Sequence, residues 1–438
     1  MKVIVLAAGR SKRMQPVKDK NFLNFLGKSL IRHQVESIYK AGLKEIIVVG
    51  GSHNLDLLRA EVVKVDKNIV VVEQMDLDMG MCGAVLAAKE LVAGGPVLVF
   101  SSNDFVDQKA FELIKKASKD EQFESYLLAK KVQEYFPGGY LEVTVDEQIK
   151  GIVEKPLPGK EPSDLVNLVV HYHRNSGNLI GYLEKAHSEK DDLYEVALAQ
   201  MIKDGVKMKA ISYEGFWCPV KFPWHVHEVF KRFVDIGVKK IAKSAVIAES
   251  AVLHGDIIIG ENVKVFDNAV INGPAYIGDN SVIATNTLVR ESHIGANCVI
   301  GFSTEVARSF LGNNVWTHSN YIGDSVIGNN VSFGGGTVIG NLRLDEANIM
   351  VEVNGDKIDS KTNKLGIITG DNVRVGINTS FMPGVKIGAN CLIGAGIIVA
   401  EDIAENSFVR GVSELKISEN KINIESIDRE KFKNKFND

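Results

Sequence analysis

The sequence predicts an α/β domain built on a parallel sheet, followed in the same chain by a parallel β-helix of hexapeptide repeats. Three observations lead there. Short apolar runs alternate with helical patterns over residues 1 to 230. From Ile241 the period becomes six: positions 241, 247, 253, 259, 265, 271, 277, 283 and 289 are all Ile, Leu or Val. Glycine, asparagine and aspartate gather between those positions, where a coil must turn.

In chain order, Val3–Ala8, Glu45–Val49, Ile69–Glu73 and Val97–Phe100 read as buried strands. Ser29 caps a helix whose apolar face is Ile31, Val35 and Ile38, and Gly42 ends it. Asn54–Val63 and Ala84–Leu91 read as further helices. Ligands of such sheets sit at the carboxyl ends of the strands. Residues 231–240 form a linker, and 241–411 the β-helix. Its large aliphatics point inward, and four residues after each of the first eight stands a small or β-branched residue. The register slips by one after Val289, Val306, Thr317 and Ile322, each implying a five-residue side or a small bulge. It recovers at Ile327, Phe333 and Ile339, is broken by a polar insertion over 341–368, and resumes at Thr369, Val375, Phe381, Ile387, Ile393 and Val399. A long loop leaving a repetitive scaffold is usually functional. The charged tail, 412–438, reads as a frayed or partner-dependent segment.

Composition narrows the function. The formal net charge is −4, which argues against bulk binding to nucleic acid or an anionic membrane. Cys82, Cys218, Cys298 and Cys391 lie far apart, with no C-x-x-C, which excludes a disulfide scaffold or zinc ribbon and fits a reducing cytoplasm. The apolar run Val3–Ala8 is too short for a signal peptide, and no stretch approaches the ~20 residues of a membrane span, so the cytoplasm is the default location.

Leu6-Ala7-Ala8-Gly9-Arg10-Ser11-Lys12-Arg13-Met14 closes a strand and opens a loop. Its small residues let backbone N–H groups approach phosphate oxygens, and Arg13 and Lys20 can add charge. A solvated basic turn is the plainer reading of that segment alone. His171/His173 and His225/His227 are H-x-H pairs. On a strand each pair would share a face suited to zinc, but no third ligand is evident, and ordinary strand or surface histidines are the favoured reading.

Taken together, the N-terminal motifs resemble the sugar-1-phosphate nucleotidylyltransferases. Their hallmark is L-A-A-G-x-G-T-R-[LM], then a Lys seven residues before Gly-Lys; Lys20 stands seven before Gly27-Lys28. Gln74 with Met79-Gly80-Met81-Cys82-Gly83-Ala84 resembles the base-binding loop. Asp104 resembles the metal-binding Asp. Gly139-Tyr140, Glu154-Lys155-Pro156 and Asn167 resemble the sugar-binding elements. The resemblance implies a Rossmann-like nucleotidyltransferase fold. It also implies Leu6, Ala8, Gly9, Gln74, Gly80 and Gly83 at the nucleotide, Gly139, Glu154 and Asn167 at the sugar, and Mg²⁺ on Asp104. A sugar phosphate is already an anionic nucleophile, so Arg13, Lys20 and the metal would act by neutralising charge on the NTP. Four positions depart from the pattern: Ser11 replaces Gly, Lys12 Thr, Asn21 Pro and Val169 Gly. Gly215–Trp224 resembles G-x-W-x-D-x-G-x-P-W, but Pro219 replaces a second metal-binding Asp and has no ligand atom.

In the β-helix, His318-Ser319-Asn320-Tyr321-Ile322-Gly323-Asp324, then Phe333-Gly334-Gly335-Gly336-Thr337 and Asn341, resemble the acetyltransferase half of bifunctional glucosamine-1-phosphate acetyltransferase/N-acetylglucosamine-1-phosphate uridylyltransferases. Lys364-Leu365-Gly366, Gly376-Ile377-Asn378 and Met382-Pro383-Gly384 look like the archaeal-type variants. The resemblance implies a left-handed β-helix that trimerises. His318 would be general base for the sugar amine, and the backbone around Gly335 would stabilise the thioester oxyanion of acetyl-CoA. Arg290 fits the sugar-phosphate Arg, while Tyr321 and Asn341 match sugar and cofactor contacts. Ala307 replaces a phosphate-binding Lys, with Arg308 beside it as a substitute. The expected protein is thus a bifunctional enzyme of nucleotide-sugar synthesis using an NTP, a sugar 1-phosphate and acetyl-CoA. Two alternatives are a single-activity uridylyl-, thymidylyl- or guanylyltransferase with a structural β-helix, and a non-catalytic binding protein such as certain translation-initiation exchange-factor subunits.

Overall fold

The computed structural model describes residues 1–92, 94–234, 239–412, 416–421 and 430. The expected strands form at Lys2–Leu6, Ile46–Gly50, Val70–Glu73 and Val97–Ser101. They pair in parallel, with Lys2–Leu6 between Val97–Ser101 and Ile46–Gly50. Val3 and Val5 enter one buried core and Ile4 and Leu6 the other, because successive strand residues face opposite ways. Helices cover both faces, which is why these strands are apolar throughout. Ser29 caps the helix Leu30–Lys40 by accepting a hydrogen bond from Arg32 N at 3.3 Å, and Ile31, Val35 and Ile38 are buried. The second expected helix forms at Leu55–Val62, and the third divides into Gly80–Ala87 and Lys89–Val92.

The sheet is mixed rather than purely parallel. Leu165–His173 runs antiparallel beside Val97–Ser101 and recruits Ser125–Lys131, Gly139–Val143, Ile149–Glu154 and Met208–Ser212 into nine strands. The turn between Val143 and Ile149 is too short for a parallel crossover, so those two strands form a hairpin.

Three stacks of short parallel strands, of eight, nine and eight, make the sides of a left-handed β-helix. The inward aliphatics from Ile257 to Val399 form one continuous core. Each expected slip is a five-residue side: Ile294, Leu311, Ile322 and Ile327 all point inward and are buried. Asparagines occupy left-handed backbone at the corners, where their short side chains are tolerated and also stack. Asn330, Asn372, Asn390 and Asn406 form one such ladder, with Nδ2–Oδ1 spacings of 2.7, 3.0 and 3.1 Å. Over the insertion, Val326 pairs directly with Ile368. The insertion itself holds a hairpin, Met350–Val353 against Asp356–Asp359. Asn354 and Gly355 turn it at φ of +53° and +91°, the two-residue turn whose twist matches the strands.

One side of the β-helix carries Tyr276, His293, Phe310 and Val326 on successive coils. They pack with Phe25, with Val226, Val229 and Phe230, and with Ile349 and Val351 of the insertion. His293 stacks between Tyr276 and Phe310 at 4.8 and 4.5 Å, and its Nε2 accepts from Leu26 N at 3.4 Å. Burial pushes it down to about 3, so it sits there uncharged. Within the expected linker, 231–234 belong to the helix His225–Val234, and 235–238 lie outside the described residues. Most of the expected tail lies outside them too. All four cysteines are free and buried. Among the described residues, no helix is long and apolar enough to cross a membrane.

The histidine pairs divide. His171 and His173 share a strand face and both reach the Tyr194 hydroxyl, at 3.0 and 3.4 Å. His225 and His227 are not on a strand but open a helix. Two residues apart, helical side chains diverge by about 200°, so the shared face expected of that pair does not exist. Among the described residues, no group of three or more His, Cys, Asp or Glu is placed to hold a metal.

Candidate active sites

A cavity of about 560 Å³ opens at the carboxyl ends of Lys2–Leu6 and Val97–Ser101. Leu6, Ala8, Gly9, Gln74 and Gly80 line it, as do Arg13 and Lys20. Ser11 adopts left-handed backbone at φ +50°, so the turn that glycine makes in the resembled pattern survives here. Its hydroxyl accepts from Lys20 N at 3.4 Å. Asn21 replaces proline with a tether: its Nδ2 donates to Ala7 O at 3.2 Å, and its Oδ1 accepts from Ser102 Oγ at 2.8 Å. Gly83 does not reach the cavity. A Cβ there would lie 2.7 Å from Gln74 Nε2, so its bareness lets Gln74 donate to Gly80 O at 2.9 Å.

Burial pushes Lys20 down to about 8, against the pull of Asp104 and with the push of Arg13. Its Nζ donates to Val220 O at 3.0 Å. Lys221 also lines the cavity, and burial takes it to about 8 by the same balance. Its ammonium lies 4.0 Å from the Phe136 ring centroid and donates to Pro137 O at 2.9 Å. Asp104 stands behind these lysines, not among the lining residues. Burial raises its pKa, opposed by Lys221 and then Lys20. Directly across the strand pair from it is Pro219. One carboxylate with lysines as neighbours does not hold a cation by itself. It would supply one of the one or two protein carboxylates used by Mg²⁺ arriving on phosphate oxygens with most of its water.

Gly139, Glu154 and Asn167 come together beside the cavity. A Cβ on Gly139 would lie 3.0 Å from Glu154 Oε2 and 3.6 Å from Asn167 Cβ. Asn167 Oδ1 lies 2.8 Å from His171 Nε2. Lys155, which lines the cavity, pairs with Glu154 at 3.2 Å.

On the β-helix the expected residues share one coil and its neighbours. His318 is exposed at a corner, and a Cβ on Gly335, one coil on, would lie 3.4 Å from its Cδ2. Tyr321 lies on the side that follows, and Asn341 Nδ2 donates to its hydroxyl at 3.2 Å. A Cβ on Gly323 would lie 2.7 Å from each of those two polar atoms. Arg290 is on the same side two coils back and donates to Glu305 Oε1 at 2.9 and 2.7 Å. Arg308 is not a free substitute for the lysine missing at Ala307. It grips Asp324 in a bidentate pair at 2.6 and 2.7 Å, and Asp324 also accepts from Asn341.

Residues 2–221 match the family described as "Nucleotidyl transferase", and 256–291 and 366–396 match "Bacterial transferase hexapeptide (six repeats)". The chain is 32% identical over 424 residues to a "Bifunctional sugar-1-phosphate nucleotidylyltransferase/acetyltransferase" of Sulfurisphaera tokodaii, covering 94% of this chain and 100% of that one. This chain belongs to that family. It is also 34% identical to a "Bifunctional protein GlmU" of Methanococcus maripaludis, over 95% of this chain and 99% of that one. With the protein of the same name from Methanocaldococcus jannaschii the identity is 31%, over 95% and 98%.

As a member of the bifunctional nucleotidylyltransferase/acetyltransferase family, the chain is an enzyme of nucleotide-sugar synthesis, and its sequence motifs gave no role to several cavity residues, among them Asp78, Ser101, Asn103, Asp191, Lys221 and Asn354. Lys221 sits in the segment already singled out for Pro219, on the position where the family pattern has glycine. Asn354 comes from the β-helix insertion, and its signal was Asn-Gly between alternating residues. Glu195 was also passed over: burial and the neighbouring Glu154 raise it to about 7.

Proposed function

We propose that the chain performs both transfers of its family, each at its own site. In the first, an oxygen of a sugar 1-phosphate attacks the α-phosphorus of an NTP, and the bond to pyrophosphate breaks. Leu6, Ala8, Gly9, Gln74 and Gly80 hold the nucleotide, with Gly83 behind them. Gly139, Glu154 and Asn167 hold the sugar. Arg13, Lys20 and Lys221 neutralise the phosphates. That Arg13, Lys20 and Lys221 line one cavity together with Leu6, Ala8, Gly9, Gln74 and Gly80 is the observation that carries this reading. Asp104 would help hold Mg²⁺, which supplies further charge neutralisation when bound. Lys221 restores positive charge where Pro219 removes a ligand.

In the second, the amine of an amino-sugar 1-phosphate attacks the thioester of acetyl-CoA. His318, exposed at its corner, takes the amine proton, and CoA leaves as the tetrahedral centre collapses. The backbone around Gly335 faces the developing oxyanion, Arg290 the sugar phosphate, and Tyr321 and Asn341 the sugar and cofactor. The working form is a cytoplasmic homotrimer with no nucleic-acid or membrane partner, in keeping with its charge and its free cysteines.

The test is separability. Pyrophosphate release and CoA release are measured in the same preparations, across the NTPs and several sugar 1-phosphates. Lys20→Ala and Asp104→Ala are expected to lose the first and keep the second. His318→Ala is expected to lose on the order of 10²–10⁴ in CoA release and keep pyrophosphate release. A loss below about tenfold in His318→Ala removes it as the base. A wild type that releases no CoA leaves a nucleotidylyltransferase on a structural β-helix.

A further inference from the structure

The insertion that breaks the β-helix ends inside the other domain's site. Its hairpin turns at Asn354-Gly355, and Asn354 lines the nucleotidyl-transfer cavity, more than 130 residues from the nearest other lining residue in sequence, Lys221. The approach is built. Val351 and Val353 are buried in a cluster that contains Met14 and against which Phe222 and Trp224 pack. Met14 adjoins Arg13, and Phe222 adjoins Lys221 and lies under the Arg13 guanidinium at 6.0 Å. The tip therefore enters near Arg13 and Lys221. The root is fixed as well. Leu365 N donates to Asn341 O at 3.0 Å, and Lys386 grips the Glu352 carbonyl. Among the described residues, the Asn354 side chain has no hydrogen-bond partner, and it is exposed to the cavity. A fixed, unengaged amide in the cavity that Arg13, Lys20 and Lys221 line offers N–H donors to the same anion that they attract.

We propose that Asn354 is a substrate-contacting residue of nucleotidyl transfer, donating to a phosphate oxygen of the NTP, so that the β-helix completes the site of the other domain. This rests on the nucleotidyl reading above. Asn354→Gly removes the amide and keeps the left-handed turn without strain, and Asn354→Asp keeps the shape and adds a charge facing the polyphosphate. Full-length wild type and both variants are compared in two ways: KM for the NTP with kcat for pyrophosphate release, and calorimetric affinity for inorganic pyrophosphate with Mg²⁺. Asn354→Gly is expected to raise KM on the order of tenfold and Asn354→Asp more, as suits a lost or reversed contact with a charged group. CoA release is expected to be unchanged in both. KM and pyrophosphate affinity within twofold of wild type in both variants would overturn the proposal. If wild type transfers no nucleotide, the nucleotidyl reading fails. The calorimetry then decides alone: tenfold weaker binding in Asn354→Asp supports the contact, and equal or absent binding in wild type and variant overturns it.

Discussion

Lys221 shows how a charge can hide in a recognisable motif. Attention goes to Pro219, because a carboxylate is missing there, yet the electrostatics of the cavity turn on the lysine two residues later. Lys221→Gly, which restores the family residue, is expected to lower kcat/KM for pyrophosphate release by about 10²-fold while CoA release holds. The same residue sets a pH limb. Lys20 and Lys221 are both near 8, so both lose charge as pH rises through that value and the KM for NTP climbs. Stability moves the other way. Their unfolded values are near 10.4, so between about 8 and 10.4 the unfolded chain binds more protons and folding gains as pH rises. NTP titrations from pH 7 to 10, beside denaturant melts over the same range, check both signs; a flat KM would contradict the role given to these lysines. The loop at Leu6–Met14 was legible because its chemistry is contiguous in sequence. Lys221 and Asn354 were not, because only tertiary packing brings residues 216–224 and the insertion to that loop.

The β-helix was the most legible element, since every coil repeats the same demand: one large aliphatic inward, then a corner. Even the slips could be read, because a five-residue side still leaves its last residue pointing to the axis. Ile283, buried between coils, is a place to measure what that stacking contributes. Ile283→Ala is expected to lower unfolding free energy by about 2–5 kcal/mol, with little loss of turnover in the folded fraction. A denaturant midpoint unchanged by the substitution would mean the core relaxes around it. The helix His225–Val234 was less legible than it should have been. Val226, Val229, Phe230 and Val234 keep helical spacing, but the alternating histidines fit the two-residue period of a strand as well. The antiparallel half of the sheet was missed because short strands at 125–173 carry no crossover helices to announce their direction.

For the whole molecule, the apolar seam around Phe25, His293 and Phe310 makes the two domains one body, each helping to shape the other's surroundings. Three such bodies are expected in solution: light scattering at micromolar concentration should return about three times 47.9 kDa. A mass of one chain would argue against the trimer. Inside each chain, the pairing of Val326 with Ile368 has a broader meaning. It makes the insertion a branch growing from an unbroken trunk. The trunk is held to one demand, since every side, of six residues or five, must bring its large residue to the axis. The branch carries no such constraint. Its length and tip are free to drift on their own, so one catalytic centre can be retuned through evolution by an arm rooted in the other, with the scaffold between them left untouched.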